Sequence, residues 1–170
     1  RDKLGYVPQK GVLFSGTIDS NIRYGKPEIT DAQVKEAAEV AQATEFIDTK
    51  PEKYESPVSQ GGTNVSGGQK QRLSIARAIA KDPEIFIFDD SFSALDFKTD
   101  SQLRKALKEY TKDATTVIVA QRISTILGAD QIIVLDDGHM AGIGTHKELM
   151  ANCEVYQQIA RSQLSKEELA

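Results

Sequence analysis

The sequence contains no tryptophan, only one cysteine and no long hydrophobic run. Because Cys153 has no second cysteine to pair with and belongs to no CxxC motif, a disulfide framework and a cysteine-based zinc site are both excluded. A reducing, cytosolic setting fits this cysteine usage best. No apolar stretch approaches the roughly 18 residues that a membrane-spanning helix needs. We therefore expect the chain itself to be soluble.

An excess of positive charge is missing as well. The 21 Lys and Arg residues against 25 Asp and Glu residues give a formal net charge of −4. Proteins that bind nucleic acids obtain much of their affinity from basic residues clustered on phosphates, so this balance argues against that class. With 170 residues, of which 39% are hydrophobic and 27% charged, the chain has the composition of one ordinary globular domain.

Helical patterns dominate residues 12–83. Helices are predicted at 17–23, 30–42, 44–49 and 66–81. The stretch 51–64 is rich in Pro, Gly, Ser and Asn, which predicts a long loop. In the last of these helices Leu73 is expected to face the core, whereas Arg72 and Arg77 are expected to face water.

Short apolar runs follow from residue 84 onward. Strands are predicted at 85–88, 115–119 and 132–135, in addition to a first strand at 4–7 and a hairpin strand at 139–143. Helices are predicted at 99–110 and 155–164, and a further helix begins after Thr145. Since the hydrophobicity is continuous rather than alternating, the strands are expected to be buried on both faces of a mostly parallel α/β sheet. Tyr6, Phe14 and Phe46 are interpreted as core aromatics, and the charged residues 165–170 as a frayed tail.

One candidate binding motif begins the helix predicted at 66–81. In Ser66-Gly67-Gly68-Gln69, Ser66 is the expected N-cap, and Gln69, three residues later, completes a capping box. The two glycines carry no side chain, so an anion could approach bare amides at the positive end of the helix dipole. The motif favours phosphate binding, and the alternative is a flexible but well-capped helix start without a ligand.

A second candidate motif ends the strand at 85–88 with two adjacent carboxylates, Asp89 and Asp90. Ligands of open α/β sheets bind beyond the carboxyl ends of strands, where a carboxylate can hold Mg²⁺ directly or through water. Asp89 is the candidate metal ligand, and Asp90 could orient a water toward a reacting phosphate. The alternative is a pair of solvated acids in a turn.

These motifs, in this order, resemble the ATP-binding-cassette (ABC) transporter ATPases of the exporter type. The matching stretches are the Q-loop at 6–9, the signature motif and its helix at 65–78, the Walker B strand at 85–89, the D-loop at 93–96 and the switch region at 119–125. The resemblance runs from about Lys3 to Leu164. It implies an α/β, partial P-loop NTPase fold, in which 12–83 is a helical subdomain and 84–164 is part of the catalytic core, with an incomplete, mostly parallel sheet.

The resemblance also implies the cofactors ATP and Mg²⁺ and a role for each motif. Gln9 and Asp89 would contact Mg²⁺, with Gln9 also coupling the nucleotide to the membrane domain. Ser66, Gly67, Gly68 and Gln69 would bind ATP held by a second nucleotide-binding domain, and Asp96 would lie across that dimer interface. Further implied partners are the coupling helices of a transmembrane domain, contacted around residues 58–62. The implied location is the cytoplasmic face of the cell membrane.

The phosphate cradle Gly-x-x-x-x-Gly-Lys-Ser/Thr is absent. Gly25-Lys26 is followed by Pro27, and Ser20 stands where the first glycine is required. Because the family places this loop before its Q-loop, we expect the chain to be the C-terminal part of a nucleotide-binding domain and to be inactive alone. Missing strands would leave unpaired strand edges and apolar faces near 117–119 and 132–135, and we expect these to cause self-association.

Two family positions carry unusual residues. Asp90 stands where the family usually has Glu, and Gln121 stands in place of the switch histidine, so it cannot carry a positive charge. Asp90 and Gln121 are the candidate catalytic residues. Their substitution resembles the degenerate site of a heterodimeric multidrug or lipid exporter, in which one of two ATP sites hydrolyses ATP slowly. The alternatives are a competent homodimeric exporter ATPase and a non-hydrolysing module that binds nucleotide only to hold a dimer together.

Overall fold

The computed structural model describes residues 2–165. These residues divide into two compact units, one up to Val119 and one from Ala120 onward. Of the tail predicted at 165–170, all but Ser165 lies outside the described residues, so that prediction stays open.

The first unit contains five strands and five α-helices, joined by two 3-10 turns. In chain order they are β1 (Leu4–Val7), β2 (Gly16–Thr17), α1 (Ile18–Ile22), α2 (Asp31–Val40), α3 (Thr44–Asp48), a 3-10 turn (Lys53–Glu55), β3 (Pro57–Val58), a 3-10 turn (Gln60–Gly62), α4 (Gly67–Ala80), β4 (Ile85–Asp89), α5 (Phe97–Tyr110) and β5 (Thr115–Val119). The second unit contains α6 (Ile123–Ile126), β6 (Ile132–Asp136), β7 (His139–Gly144), α7 (His146–Asn152) and α8 (Glu154–Gln163). The predicted helices and strands are therefore present, most with shifted ends.

A three-stranded parallel sheet forms the base of the first unit, in the order β1-β4-β5. Parallel pairing of Val7 with Phe88 brings the carboxyl ends of β1 and β4 to the same edge. Phe86 and Phe88 of the central strand are buried in the core. The prediction of an α/β fold with a mostly parallel sheet is confirmed.

Helix α4 is the central helix of the first unit. Its buried residues include Leu73, Ile75, Ala76 and Ile79, and it packs against α1, α2 and β1. Each of α1, α2 and α4 begins with a capping box, at Thr17, Thr30 and Ser66. Because each box satisfies backbone donors that a helix start otherwise leaves open, these residues fix where the helices begin.

Arg72 and Arg77 of α4 were predicted to face water, but both are bonded to other parts of the fold. The Arg77 guanidinium donates to the carbonyl of Asn21 at 2.7 Å and to that of Val12 at 2.8 Å. Arg72 donates to the carbonyl of Gln42 at 2.7 Å and lies 4.7 Å from the Phe46 ring. Burial lowers the pKa of both guanidinium groups. Arginine can be buried in this way because its planar group satisfies several carbonyls at once and stacks on rings.

The stretch 51–64 is more ordered than the predicted loop. It contains both 3-10 turns and the short strand β3, which pairs antiparallel with β2. The side chain of Asn64 ties this region together, accepting from the Ser59 backbone at 2.9 Å and donating to the Pro57 carbonyl at 2.8 Å. Asparagine often makes such local bonds in turns.

The prediction from continuous hydrophobicity that the later strands are buried on both faces is wrong for β5 and β6. The apolar faces expected to be exposed near 117–119 and 132–135 are exposed. Val117 and Val119 of β5 are 47% and 53% exposed, and Ile133 and Leu135 of β6 are 58% and 68% exposed. Strand β5 is an edge of its sheet, with β4 as its paired neighbour. Continuous hydrophobicity indicates that a strand can be covered on both faces but does not say that the described chain covers it.

In the second unit, β6 pairs with β7 in an antiparallel hairpin. The hairpin turn uses Asp137 and Gly138, both with positive φ (46° and 77°), as two-residue turns of this kind require. The inner face of β6 packs with α7 and α8 around the buried side chains Ile132, Val134, Leu149 and Tyr156. No helix within residues 2–165 combines the length and the apolar character that crossing a membrane would take.

Candidate functional site

Three predicted site residues of the first unit meet at the carboxyl ends of β1 and β4. Gln9 follows β1, and its side-chain Nε2 donates to Asp90 Oδ2 at 3.2 Å. Asp89 is the last residue of β4, and its Oδ2 accepts from the Tyr6 hydroxyl at 3.1 Å. We call Gln9, Asp89 and Asp90 the strand-end cluster. The parallel pairing of β1 and β4 brings them together across about 80 residues of sequence.

The backbone around Asp90 fixes the direction of its side chain. Asp90 has a φ of 45°, in the left-handed region that aspartate tolerates better than most residues. Its N–H donates to the Val119 carbonyl at 2.8 Å, and its own carbonyl accepts from the Ser93 hydroxyl at 3.0 Å. Because both backbone groups are held, the carboxylate is directed toward Gln9.

Oxygen donors make the strand-end cluster suitable for a magnesium ion. Asp89 and Asp90 offer carboxylate oxygens, and Gln9 retains an amide oxygen while its NH₂ group donates to Asp90. Within the described part of the chain, no group of three or more His, Cys, Asp or Glu could hold a metal. Mg²⁺ commonly binds to one or two carboxylates together with phosphate oxygens and water. The cluster therefore fits a magnesium ion shared with a phosphate group rather than one enclosed by protein alone.

Tyr6 is a neighbour of this cluster that the sequence interpretation misplaced. It was predicted to be a core aromatic, yet it is 55% exposed. Its hydrogen bond to the Asp89 carboxylate raises the pKa of the Tyr6 hydroxyl, so the hydroxyl stays protonated and continues to donate. Phe14 also differs from the prediction, because it is 40% exposed and stacks on Tyr24 with ring centroids 4.1 Å apart. Phe46 is buried as predicted.

The start of α4 has the predicted capping box. Ser66 Oγ accepts from the Gln69 N–H at 3.2 Å, and Gln69 Oε1 accepts from the Ser66 N–H at 3.1 Å. Ser66 and Gly67 are exposed, and a Cβ added at Gly67 would meet nothing within 4 Å. A Cβ at Gly68 would lie 3.6 Å from the Ala94 carbonyl oxygen. An anion can therefore reach the helix amides from the side of Gly67.

Asp96 has a local structural task that the sequence interpretation missed. It is the N-cap of α5, and its Oδ1 accepts from the Thr99 N–H at 3.0 Å. The helix consequently begins at Phe97 rather than at residue 99. This bond is the main reason that the pKa of the Asp96 carboxyl is lowered, and the positive charge of Arg72 adds to the effect. The preference of N-cap positions for aspartate was the available signal.

Gln121 belongs to the second unit, and its side chain is exposed. Its backbone carbonyl accepts from Gln163 Nε2 at 2.8 Å, and Gln163 Oε1 accepts from the N–H of Ile123 at 2.9 Å. The side chain of Gln163 thus holds the segment that leads into α6. The catalytic role of Gln121 stays a prediction.

Two buried polar residues also support the site and were not predicted. The hydroxyl of Ser91, directly after the strand-end cluster, donates to the Val7 carbonyl at 2.8 Å. Gln71 of α4 bonds to the backbone of Pro8 and Gly11. Both side chains are 1% exposed. Their partners lie 60 or more residues away in the sequence, so no local pattern could have found these contacts.

Comparison with known families identifies the chain. The family model described as ABC transporter matches residues 1–93, which is more than half of its length. The chain therefore belongs to the ABC transporter family and corresponds to its ATP-binding domain.

Several curated relatives are similar over nearly the whole chain. An uncharacterized ABC transporter ATP-binding protein of Mycobacterium tuberculosis is 47% identical over 163 residues, which cover 94% of this chain and 28% of the relative. A corresponding protein of Bacillus subtilis is 45% identical, covering 98% of this chain and 29% of the relative. A putative multidrug export ATP-binding/permease protein of Staphylococcus aureus is 46% identical, covering 94% and 28%. The chain spans less than a third of the length of these relatives.

A solved structure shows the same fold. A bacterial Atm1-family ABC exporter with ATP bound superposes on this chain with a TM-score of 0.91 and 38% sequence identity. The match covers 98% of this chain and 29% of the exporter chain. The chain thus has the fold of a P-loop NTPase of the ABC ATPase type, as predicted.

Proposed function

We propose that the full-length protein is an ABC exporter in which this chain couples ATP binding and hydrolysis to transport across a membrane. The observation that carries the proposal is the strand-end cluster, where Gln9 contacts Asp90 beside Asp89. The name of the Staphylococcus relative, which refers to multidrug export, and the likeness to an exporter with ATP bound support the same function. The proposed location is the cytoplasmic face of the membrane.

In this proposal the strand-end cluster acts on the nucleotide of the chain's own site. Asp89 and Gln9 contact Mg²⁺, which supplies positive charge at the phosphates when it is bound. Asp90 accepts a hydrogen bond from the water that attacks the terminal phosphate. The hydrogen bond from Tyr6 to Asp89 supports the assignment, because a metal-binding carboxylate is usually oriented by such a partner.

The start of α4 acts on the nucleotide of a second nucleotide-binding domain. The exposure of Gly67 and the open space around its Cα support a role for Ser66, Gly67, Gly68 and Gln69 in binding the terminal phosphate there. Asp96 and its neighbour Phe97 lie at the interface between the two domains. Phe97 is 84% exposed, which is unusual for a large apolar side chain and favours its burial by a partner.

The chain's own site is proposed to be the slow one of a heterodimer. An aspartate at position 90 is one methylene shorter than the usual glutamate, and moving a water-orienting carboxylate by about 1 Å can cost on the order of a hundredfold in rate. Gln121 can donate a hydrogen bond to a phosphate but cannot add a positive charge to it. Together these residues favour a site that binds ATP but hydrolyses it slowly.

Contact with the transmembrane domain is proposed at the Q-loop and at the turn around residues 58–62. The N–H of Gly61 donates to the Leu13 carbonyl at 3.0 Å, which joins this turn to the segment after Gln9. A coupling helix that presses on the turn would therefore act on a segment linked to the strand-end cluster.

Magnesium-dependent ATP binding by the full-length transporter tests the proposal. Asp89→Asn should raise the Mg²⁺ concentration needed for ATP binding about tenfold or more, since it removes a proposed metal ligand. Asp137→Asn is the matched control, because the same change in the exposed hairpin turn lies in the other unit and asparagine also tolerates positive φ. Wild-type transporter that binds no ATP in the presence of Mg²⁺ would refute the proposed function.

A further inference from the structure

One buried side chain, Gln71, holds the backbone on both sides of Gln9. Its Oε1 accepts from the Gly11 N–H at 2.8 Å, and its Nε2 donates to the Pro8 carbonyl at 3.0 Å. Gln71 is 1% exposed, so water does not compete for these bonds. Its single planar amide therefore fixes the two ends of the short segment that carries Gln9.

The surroundings leave this segment little freedom to move. A Cβ added at Gly11 would lie 2.7 Å from Ser74 Oγ and 2.9 Å from the Lys70 carbonyl oxygen, so the loop packs directly on α4. On the preceding side, the buried hydroxyl of Ser91 donates to the Val7 carbonyl. The segment from Pro8 to Gly11 is thus fixed by α4 and, through Val7, by the turn after β4. Gln71 of α4 makes a hydrogen bond at each end of this segment.

We propose that Gln71 is a positioning residue that holds Gln9 against Asp90 and thereby sets the magnesium requirement of the site. This inference rests on the proposed function, because it assigns Gln9 to Mg²⁺. Gln71 does not itself reach the strand-end cluster. It acts through the backbone of residues 8–11, and the Gln9 side chain makes the contact with Asp90.

Because Gln71 lies on α4, its two hydrogen bonds also link the Gln9 segment to the start of that helix. Gln71 lies four residues after Gly67, so about 6 Å of helix separates the two Cα atoms along the axis. A helix segment of this length moves as a rigid body, and a shift of the exposed helix start is passed to the Gln9 segment. Gln71 thereby connects the surface proposed to face the partner's ATP with the chain's own metal-binding residues.

Glutamine is the residue type that the two bonds need. The loop offers a donor at Gly11 and an acceptor at Pro8, and a neutral amide carries one acceptor and one donor group in a single plane. Methionine has a similar length and shape but makes neither bond. Gln71→Met therefore removes both hydrogen bonds with little change in packing volume.

The first measurement is amide hydrogen exchange of the full-length transporter without nucleotide. In Gln71→Met, exchange at the Gly11 amide should become at least about tenfold faster, because its acceptor is gone. The matched control is Ser74→Ala on the same helix, since Ser74 Oγ is buried without a hydrogen-bond partner in the described structure. Exchange at Gly11 should remain at the wild-type rate in this control.

The second measurement is the Mg²⁺ concentration for half-maximal ATP binding, which should rise about tenfold in Gln71→Met, as expected when a partner that orients a metal ligand is lost. ATP binding without Mg²⁺ should stay unchanged, whereas general damage to the fold would weaken it as well. If Gln71→Met does not fold, Gly11→Ala tests the same point, because its Cβ would force the loop away from α4.

The outcomes separate the inference from the proposed function. Unchanged exchange at Gly11, or an unchanged Mg²⁺ requirement while wild-type transporter binds ATP normally, overturns the inference alone. Absence of Mg²⁺-dependent ATP binding in the wild type overturns the proposed function and the magnesium part of the inference with it. Faster exchange together with the raised Mg²⁺ requirement supports the inference.

Discussion

A carboxylate at position 67 is the sharpest test of the proposed role of α4. Gly67 is the first residue of the helix, it is exposed, and a Cβ added there would meet nothing within 4 Å. Aspartate is favoured in the first turn of a helix, where it interacts with the helix dipole. Gly67→Asp should therefore leave the free energy of unfolding unchanged or raise it by about 0.5 kcal/mol.

The same carboxylate should slow ATP turnover once a phosphate is bound at the helix start. If the partner's terminal phosphate sits on the helix start, a new negative charge lies about 4 Å from it. At an effective dielectric constant of about 20, two like unit charges at this distance repel by about 4 kcal/mol. Since each 1.36 kcal/mol changes a rate about tenfold, turnover at the partner's site should fall roughly a thousandfold.

Steady-state ATPase activity of the reconstituted transporter, measured beside its thermal stability, is the assay. Gly67→Ala is the control, because it adds the Cβ without the charge and should retain most activity. Asp90→Asn in the same transporter should change total turnover by less than about twofold, because the proposal assigns most hydrolysis to the partner's site. Activity of Gly67→Asp near the wild-type level would refute the phosphate contact. Loss of activity in Asp90→Asn would refute the slow-site proposal.

Three further predictions concern stability and association. Arg77→Met should lower the free energy of unfolding by about 3 kcal/mol in a denaturant titration, because it leaves the carbonyls of Asn21 and Val12 without their donor. The lowered pKa of Asp96 means that its stabilising contribution is present above pH 4 and is lost as the pH falls through the folded-state pKa. In Asp96→Asn, the free energy of unfolding should change less with pH in this range, as measured by acid unfolding. The 170-residue chain should self-associate, as measured by light scattering. Leu135→Lys should reduce this association, because it places a charge on an exposed apolar face. A wild-type chain that stays monomeric would contradict this prediction.

Local signals predicted the parts of the site that depend on neighbouring residues. Ser66 and Gln69 are three positions apart, so their capping box follows from helix geometry alone, and the structure has it. The hairpin strand predicted at 139–143 was equally local, since the turn before it is made by the adjacent residues Asp137 and Gly138. In both cases the residues that make the interaction are also neighbours in the sequence.

Distant contacts could not be predicted in this way. The bond between Tyr6 and Asp89 joins residues 83 positions apart, and no periodicity in either strand indicates it. Arg72 and Arg77 were assigned to water because charge on a helix usually means exposure, whereas here neighbouring carbonyls replace the water. The hydrophobic pattern of β5 did not indicate its exposed face, because a run of apolar residues does not say what covers it. That exposure was expected only from the strands that the family resemblance implies are missing.

The hydrogen bonds of Gln71 and the open space at Gly67 suggest how a chain whose own ATP site is proposed to be slow would still contribute to the partner's ATP site. In the proposed function, a phosphate bound at Gly67 needs only the start of α4, and Asp90 does not belong to that helix. On this proposal, a substitution at position 90 that slows the chain's own hydrolysis should leave its contribution to the partner's site intact. Gln71 ties the segment that carries Gln9 to the same helix. In the proposed function, a nucleotide bound at the chain's own site would therefore still hold α4 in place for the partner's site. The proposal therefore requires this chain to bind ATP but not to hydrolyse it rapidly.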